Sequence, residues 1–308
     1  VWIEMEKDGT IPASSSYVWH AQTGAPDKSL GQLVAGYLAV AEAKAIDLID
    51  FGSVQVQGRQ ERNPRRQLHG GEEIRVYWPR FGTRRFYEID PVRVLFRDDY
   101  LLAYDKEAGI PSQQTPSDAY NNLFAALYRH LKKERAPDPY IALHHRLDKE
   151  TSGVMIFALD RSMNGRLGTA FEQRRVSKGY LAWVEGAPSQ DEWVATDDIG
   201  RSRGRYCTVP KGHGKPAETA FAVLQRAGDS SLVWASPKTG RTHQIRLHLA
   251  ACGHPVAGDS LYGKKPANRL YLHAHRLKLL HPATRSKLTL TAPVPEDWPE
   301  PRCPVIPD

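Results

Sequence analysis

The chain has 308 residues, 41% of them hydrophobic and 25% charged, and its 42 Lys and Arg against 35 Asp and Glu give a formal charge of +7. That length suits two domains and that composition excludes wholesale disorder, while three distant cysteines (Cys207, Cys252 and Cys303) with no C-x-x-C argue against a disulfide scaffold or a cysteine zinc site. No uncharged apolar run is long enough to span a membrane, and the start of the chain carries Glu4, Glu6, Lys7 and Asp8 where a signal peptide needs an apolar core, so a reducing, cytoplasmic setting is expected.

Residues 1–26 are rich in Ser, Gly and Pro and read as an irregular N-terminal arm. Leu30, Leu33, Val34, Tyr37 and Leu38 then fall on one helical face over 29–38. A second helix is predicted over 41–50, with Ala45, Leu48 and Ile49 inward and Gly52 as its C-terminal stop. Val54 and Val56, and then Ile74, Val76 and Trp78, alternate with polar or exposed residues as in half-buried strands. The order helix, helix, strand, loop, strand in 27–86 resembles the small S4-type RNA-binding domain, chiefly through Asp50-Phe51-Gly52-Ser53-Val54-Gln55-Val56-Gln57-Gly58. The basic residues which that family places around its first two helices are absent here. Residues 51–86 instead hold eight arginines against three glutamates. Arginine is the better bidentate phosphate donor, so Arg59, Arg62, Arg65, Arg66, Arg84 and Arg85 are expected to contact RNA; the bland reading is a solvated charged loop.

From about residue 88, short apolar runs recur: Val92–Phe96, Leu101–Tyr104, Val154–Leu159, Tyr180–Val184, Thr219–Leu224 and Leu232–Ala235. Helices are predicted at 121–133, opened by Asn121, and at 161–173, capped by Asp160. The strands do not alternate regularly with helices. An α+β domain with a mixed, largely antiparallel sheet and peripheral helices is therefore expected over 87–297, and the six prolines of 293–308 predict a tail strapped along the surface, its last part 298–308 beyond the domain.

One polar loop stands out: His144-His145-Arg146-Leu147-Asp148-Lys149-Glu150-Thr151-Ser152-Gly153, running into the apolar strand Val154-Met155-Ile156-Phe157-Ala158. Taken alone, Asp148 would be read as the anchor of a turn. The segment nevertheless resembles the H-R-L-D-x-x-T-S-G signature of the RluA-type pseudouridine synthases. Further motifs follow in that family's order: Ser177-Lys178-Gly179-Tyr180-Leu181-Ala182-Trp183-Val184-Glu185-Gly186, Lys215-Pro216-Ala217-Glu218-Thr219, Thr239-Gly240-Arg241-Thr242-His243-Gln244-Ile245-Arg246-Leu247-His248, Gly258-Asp259-Ser260-Leu261-Tyr262-Gly263 and Leu272-His273-Ala274-His275. The resemblance spans about residues 90–297. It departs at Glu107, where a proline commonly stands.

The resemblance implies conversion of uridine to pseudouridine in structured RNA. The N1–C1′ glycosidic bond breaks, the uracil turns, C5 joins C1′ and the C5 proton leaves. There is no redox change or group transfer, so no cofactor and no metal is expected. A carboxylate beside the sugar can stabilise or bond to the developing cation, or remove the C2′ proton. The resemblance gives this role to Asp148. Arg246 is its expected counter-ion, with Asp259 as the competing partner; in a helix beginning near Thr239 it would share a face with Thr242, Ile245 and Leu249. Tyr180 is expected to pack on uracil and to lie near C5, although an ordinary phenol is a poor base. Arg146 would fill the space left by a flipped base, and Leu147, Thr151, Arg241, Thr242 and His243 would bind substrate. His144, His145, His243, His248, His273 and His275 form no zinc motif. The expected partner is RNA, ribosomal RNA of the large subunit before transfer RNA, met by a monomer with no membrane attachment. A catalytically silent RNA-binding or ribosome-assembly factor is the rival reading. A glycosidase of free sugars would need a second catalytic carboxylate, for which Glu150 and Asp160 have no support in the family pattern.

Overall fold

A computed structural model describes residues 16–21, 28–79, 82–134 and 138–299. The chain divides into two compact units, one of residues 1–89 with 113–130 and one of residues 90–112 with 131–308. Among the described residues, no helix is long and apolar enough to cross a membrane.

The first unit holds β1 (Ser16–His20), α1 (Leu30–Leu38), α2 (Glu42–Phe51), β2 (Val54–Val56), β3 (Arg59–Gln60) and β4 (Glu73–Tyr77). Ser29 caps α1 in a capping box with Gln32, and Gly52 ends α2 in the left-handed conformation (φ 85°) that the sequence predicts for it. Leu30, Val34, Leu48, Ile49, Val54, Val56, Ile74 and Val76 form the core. The sheet runs β1-β4-β2-β3. Its edge strand β1 gives regular structure to part of 1–26, read from sequence as an irregular arm. Tyr17 and Trp19 sit on β1 and stack in series with Tyr37, at 5.9 and 5.2 Å, giving the strand an aromatic anchor that period-two patterning over five residues hardly reveals. The rest of the predicted arm, 1–15 and 22–26, lies outside the described residues.

Sequence reading cuts the chain once, near residue 86, yet residues 113–130 group with the first unit. The physical reason is backbone satisfaction. The Ala119 amide donates to the Phe51 carbonyl (3.0 Å) and Ser53 Oγ to the Ser117 carbonyl (2.7 Å). Asn121 Oδ1 accepts from the Phe86 and Tyr87 amides at 2.9 and 3.1 Å. Asn121 thus anchors the segment 86–87, and Asn122 takes the capping role at the start of α3 (Leu123–Glu134), accepting from the Ala125 amide at 3.0 Å.

The second unit is built on one sheet. Its strands are β5 (Val94–Arg97), β6 (Leu101–Lys106), β7 (Ala142–Leu143), β8 (Ser152–Ala158), β9 (Ser177–Glu185), β10 (Glu192–Ala195), β13 (Thr219–Ala227), β14 (Ser230–Pro237), β15 (Leu272–Leu280) and β16 (Lys287–Thr291). The order is β10-β13-β14-β9-β15-β8-β6-β5, with β16 on β15 and β7 on β8. Every pairing is antiparallel except β15 with β8, so the sheet is mixed and largely antiparallel as expected. At that parallel contact a Cβ on Gly153 (φ 114°) would lie 2.2 Å from the Ala274 carbonyl oxygen, so only glycine fits. Helices α4 (Arg161–Glu172) and α5 (Gln244–Ala251) and a hairpin of β11 (Asp198–Ser202) and β12 (Arg205–Val209) complete the unit. The proline-rich tail is not simply superficial: Trp298 is buried with Leu181, Trp183, Leu232 and Trp234. Residues 300–308 lie outside the described part.

Candidate active site

The polar loop before β8 is clamped from several sides. Ser112 Oγ donates to the Leu147 carbonyl (2.7 Å) and accepts from its amide (3.0 Å). The Thr151 amide closes a turn onto the Asp148 carbonyl. The ammonium of Lys106, fully buried, donates to the carbonyls of Glu107 and Ile110 at 2.7 Å and of Lys149 at 3.1 Å. Burial pushes this lysine down to about 7, opposed by Glu107, Glu150 and Asp148. With Leu147 buried and its backbone held, the flanking Arg146 and Asp148 side chains are free to face outward. They face a cleft of about 490 Å³.

All nine residues singled out from sequence in this domain line that cleft: Arg146, Leu147, Asp148 and Thr151 from the loop, Tyr180 from β9, and Arg241, Thr242, His243 and Arg246 from the start of α5. Arg246 is 5% exposed in its side chain and comes within 3.5 Å of Asp148 through Nη1. Its tighter partner is Asp259, fully buried, which takes bidentate hydrogen bonds from Nε and Nη2 at 2.7 Å each. Asp259 Oδ1 also accepts from the Leu261 and Tyr262 amides. The two acids compete on paper but not in space, because the planar guanidinium offers one edge to Asp259 and its remaining nitrogen to Asp148. Burial opposes the charge on both members of the inner pair; the hydrogen bonds between them win, holding Arg246 above and Asp259 below the ordinary range.

His243 sits at the N-cap of α5 in the left-handed conformation (φ 56°). Its Nδ1 is 2.8 Å from the Tyr262 hydroxyl and its Nε2 is 4.0 Å from Asp148. Burial lowers its pKa and the Arg246 and Arg146 charges lower it further against Asp148, so a neutral imidazole faces the carboxylate. Arg146 reaches across the cleft to donate from Nη2 to Thr242 Oγ1 at 3.1 Å, and Arg241 donates from Nε to the Pro216 carbonyl at 3.0 Å. The Tyr180 phenol is pushed well above its ordinary value, first by burial and then by Asp148. Thr151 is buried, and among the described residues its hydroxyl has no hydrogen-bond partner.

One residue that organises the cleft escaped the sequence reading. Gln244 ties the turn before α5 together: its Oε1 accepts from Thr239 Oγ1 and the Arg241 amide, and its Nε2 donates to the Glu218 carbonyl and Thr219 Oγ1. Asp259, expected as the rival of Asp148 for Arg246, is instead its bidentate partner beside Asp148. Of the histidines, His145 accepts from the Ile156 amide and stacks on Phe171, His248 bridges Thr219 and Asp197, and His273 bonds Ser152.

The arginines expected to touch RNA lie in the first unit. Arg59, Arg65 and Arg84 are exposed. Arg66 is held at 2.7 Å by both Glu61 and Glu72, Arg62 faces Asp50, and Arg85 pairs with Asp47 and Asp50 while lying over the Tyr120 ring.

A cleft with a fixed carboxylate, a buried counter-ion and a tyrosine from β9 fits cleavage and re-formation of a glycosidic bond. Residues 100–251 match the family profile described as RNA pseudouridylate synthase. Ribosomal large subunit pseudouridine synthase C of Escherichia coli is 32% identical over 300 residues, covering 86% of this chain and 90% of that protein. The chain belongs to the RluA family of pseudouridine synthases. Synthase D of the large ribosomal subunit from Nitrosomonas europaea is 34% identical over 249 residues, 76% of this chain and 71% of that one. Among solved structures, the human RNA pseudouridylate synthase domain containing 4 aligns with a TM-score of 0.56 and 27% identity over 66% of this chain and 88% of its own. The human RNA pseudouridylate synthase domain containing 1 aligns with a TM-score of 0.54 and 29% identity over 67% and 86%. This RluA-family member is thus an RNA-modifying isomerase, with residues of its His144–Gly153, Ser177–Gly186 and Thr239–His248 motifs on one cleft.

Proposed function

We propose that this pseudouridine synthase modifies uridines in ribosomal RNA of the large subunit, in the cytoplasm, with Asp148 as its catalytic carboxylate. The observation that carries the reading is the Asp148–Arg246–Asp259 array. Asp259 pairs with and orients a buried guanidinium, which stays charged and sets its remaining nitrogen 3.5 Å from a carboxylate open to the cleft. The names of the relatives favour ribosomal RNA over transfer RNA. In this reading the target nucleotide flips into the cleft, Arg146 occupies the vacated stack, and Asp148 meets the sugar as N1 departs. Tyr180 packs on the uracil. Its phenol is held protonated, so it can relay the C5 proton only by releasing its own at the same time. The exposed arginines of the S4-like unit add phosphate contacts.

The test is Asp148→Asn in the full chain, with pseudouridine mapped in unmodified large-subunit ribosomal RNA and in transfer RNA. Loss of product with affinity held within about threefold is expected, since phosphate contacts supply most of the affinity. Product from the Asn variant, checked for deamidation by mass spectrometry, would remove Asp148 from the chemistry. Product in transfer RNA alone would replace the substrate, and no product from the wild type would favour the silent RNA-binding factor.

A further inference from the structure

The catalytic unit carries a second cavity of about 580 Å³ between α4 and the β15–β16 turn. Volumes of about 300–1,000 Å³ are typical of ligand sites. Three arginines line it, Arg166, Arg175 and Arg285, and no carboxylate does. Among the described residues Arg175 and Arg285 form no ion pair, although arginine side chains elsewhere in this unit, Arg93, Arg226 and Arg269 among them, are paired with acids. The floor is mixed. Leu280 and Pro282 give apolar surface, and Thr169 a hydroxyl. Gly165 keeps the helix side open, since a Cβ there would meet nothing within 4 Å.

The backbone fixes where these charges point. Helix α4 ends in a Schellman turn: the Arg174 amide donates to the Phe171 carbonyl (3.1 Å) and the Arg175 amide to the Ala170 carbonyl (2.9 Å). The left-handed position of that turn usually belongs to glycine or asparagine; here it is Arg174, at φ 56°. The turn sends two consecutive arginines to opposite sides of the helix end, Arg174 into the wall of the active cleft and Arg175 into the second cavity. Opposite, the β15–β16 turn is braced by His281, whose Nδ1 accepts from the Ala283 and Thr284 amides and whose Nε2 bonds Asp98. Arg285 is presented from this turn in the left-handed conformation (φ 63°), its amide bonded to the His281 carbonyl.

We propose that the second cavity is a subsite for the single-stranded RNA flanking the target uridine, with Arg175 and Arg285 holding its phosphodiesters and Leu280 and Pro282 meeting a base or sugar. The paired arginines at the end of α4 form the crossing point: a strand leaving the cleft passes Arg174 and is taken up by Arg175. The inference rests on RNA being the substrate and adds a path for the strand outside the cleft.

The test uses the full chain and two fluorescent oligouridylates, one short enough to fill only the cleft and one long enough to reach the second cavity. Arg175→Ser with Arg285→Ser should weaken binding of the long strand about tenfold and reduce its log–log salt slope by about 1.4, the value for two phosphate contacts on a single strand. Binding of the short strand should stay within about twofold, and so should pseudouridine formation by the variant at saturating ribosomal RNA. The double variant Arg175→Lys with Arg285→Lys keeps both charges and should restore the slope. An unchanged slope for the long strand, equal loss on both strands, or a Lys variant as defective as the Ser variant despite a wild-type melting curve would each overturn the subsite. Oligomer binding is read without product, so failure here leaves the assignment of Asp148 standing, and failure of that assignment does not decide this one.

Discussion

Arginine does two different things in the two units of this molecule. In the catalytic unit Arg246 is buried, bidentate to a fully buried Asp259 and shared with Asp148, so its charge is held out of water by fixed acids. In the first unit Arg59, Arg62, Arg65, Arg84 and Arg85 are exposed, and the arginines that are paired use acids from the same small unit, as Arg66 does with Glu61 and Glu72. A buried guanidinium that loses a partner leaves an uncompensated charge, which is costly; an exposed one that loses a partner is hydrated again. Substitution at Asp259 should therefore act on folding and chemistry together, whereas substitution at Arg59, Arg65 or Arg84 should act on RNA affinity alone.

The largest effect that could break this contrast is at Asp259. Asp259→Asn should cost about 3 kcal/mol in urea unfolding, by leaving Arg246 half-paired in a buried site. It should also cut turnover roughly 100-fold at saturating RNA by loosening the guanidinium that faces Asp148. Single-turnover rates and binding separate the two effects: unchanged turnover with only a lower unfolding midpoint would make Asp259 structural.

Next comes Arg146→Ala, which should impair a structured RNA roughly tenfold more than one whose target uridine is already unstacked, because flipping costs a few kcal/mol only when a stack must be broken. Equal loss on both substrates would reduce Arg146 to its hydrogen bond with Thr242.

In the first unit, Arg59→Ser, Arg65→Ser and Arg84→Ser together should lower the log–log salt slope of RNA binding by about 2 to 3 units while the melting curve stays put. Arg66→Ser should do the reverse, shifting the melt slightly with little change in slope, since its charge is already taken up by two glutamates. A salt slope that responds to Arg66 as strongly as to the exposed arginines would erase the distinction.

A further effect, spread over the pH scale and not confined to one substitution, concerns the buried imidazoles. Burial lowers His145 and His273 to about 3, so both stay neutral when folded and take up a proton only when unfolded. The unfolded chain therefore binds more protons below its ordinary imidazole value near 6.5, and stability falls as pH drops from there toward 3. Each imidazole should contribute a loss of about 2 kcal/mol between pH 7 and 5. His145→Gln, which can still accept from the Ile156 amide, should flatten the urea-midpoint profile by about one proton; an unchanged slope would mean the ring is charged in the fold.

The arrangement of the site was legible in part. A run such as His144–Gly153 is polar where the following strand is apolar, and that break fixes a loop at the end of a buried strand from local pattern alone. The helices α1, α2 and α4 announce themselves through apolar spacing and their end residues, because those signals lie within a few residues of one another. Strands β10, β11, β12 and β16 do not: they are four or five residues long with little alternation, and only their partners make them strands. The same limit explains Trp298, whose burial depends on β9 and β14, far upstream in the chain, as well as on nearby Tyr271.

The sequence by itself determined the order of the motifs and where Asp148, Tyr180 and Arg246 stand in them, because residue type and spacing are local properties, while their roles are what the family resemblance implies. Tertiary structure alone decided the partners. Nothing near Arg246 in sequence indicates that Asp259 takes two of its nitrogens and Asp148 a third, that residues 113–130 complete the first unit, or that Arg174 and Arg175 part at the end of α4. Each of these turns on where a charge or an amide finds its partner once water is excluded, and that is settled only when the distant segments have packed.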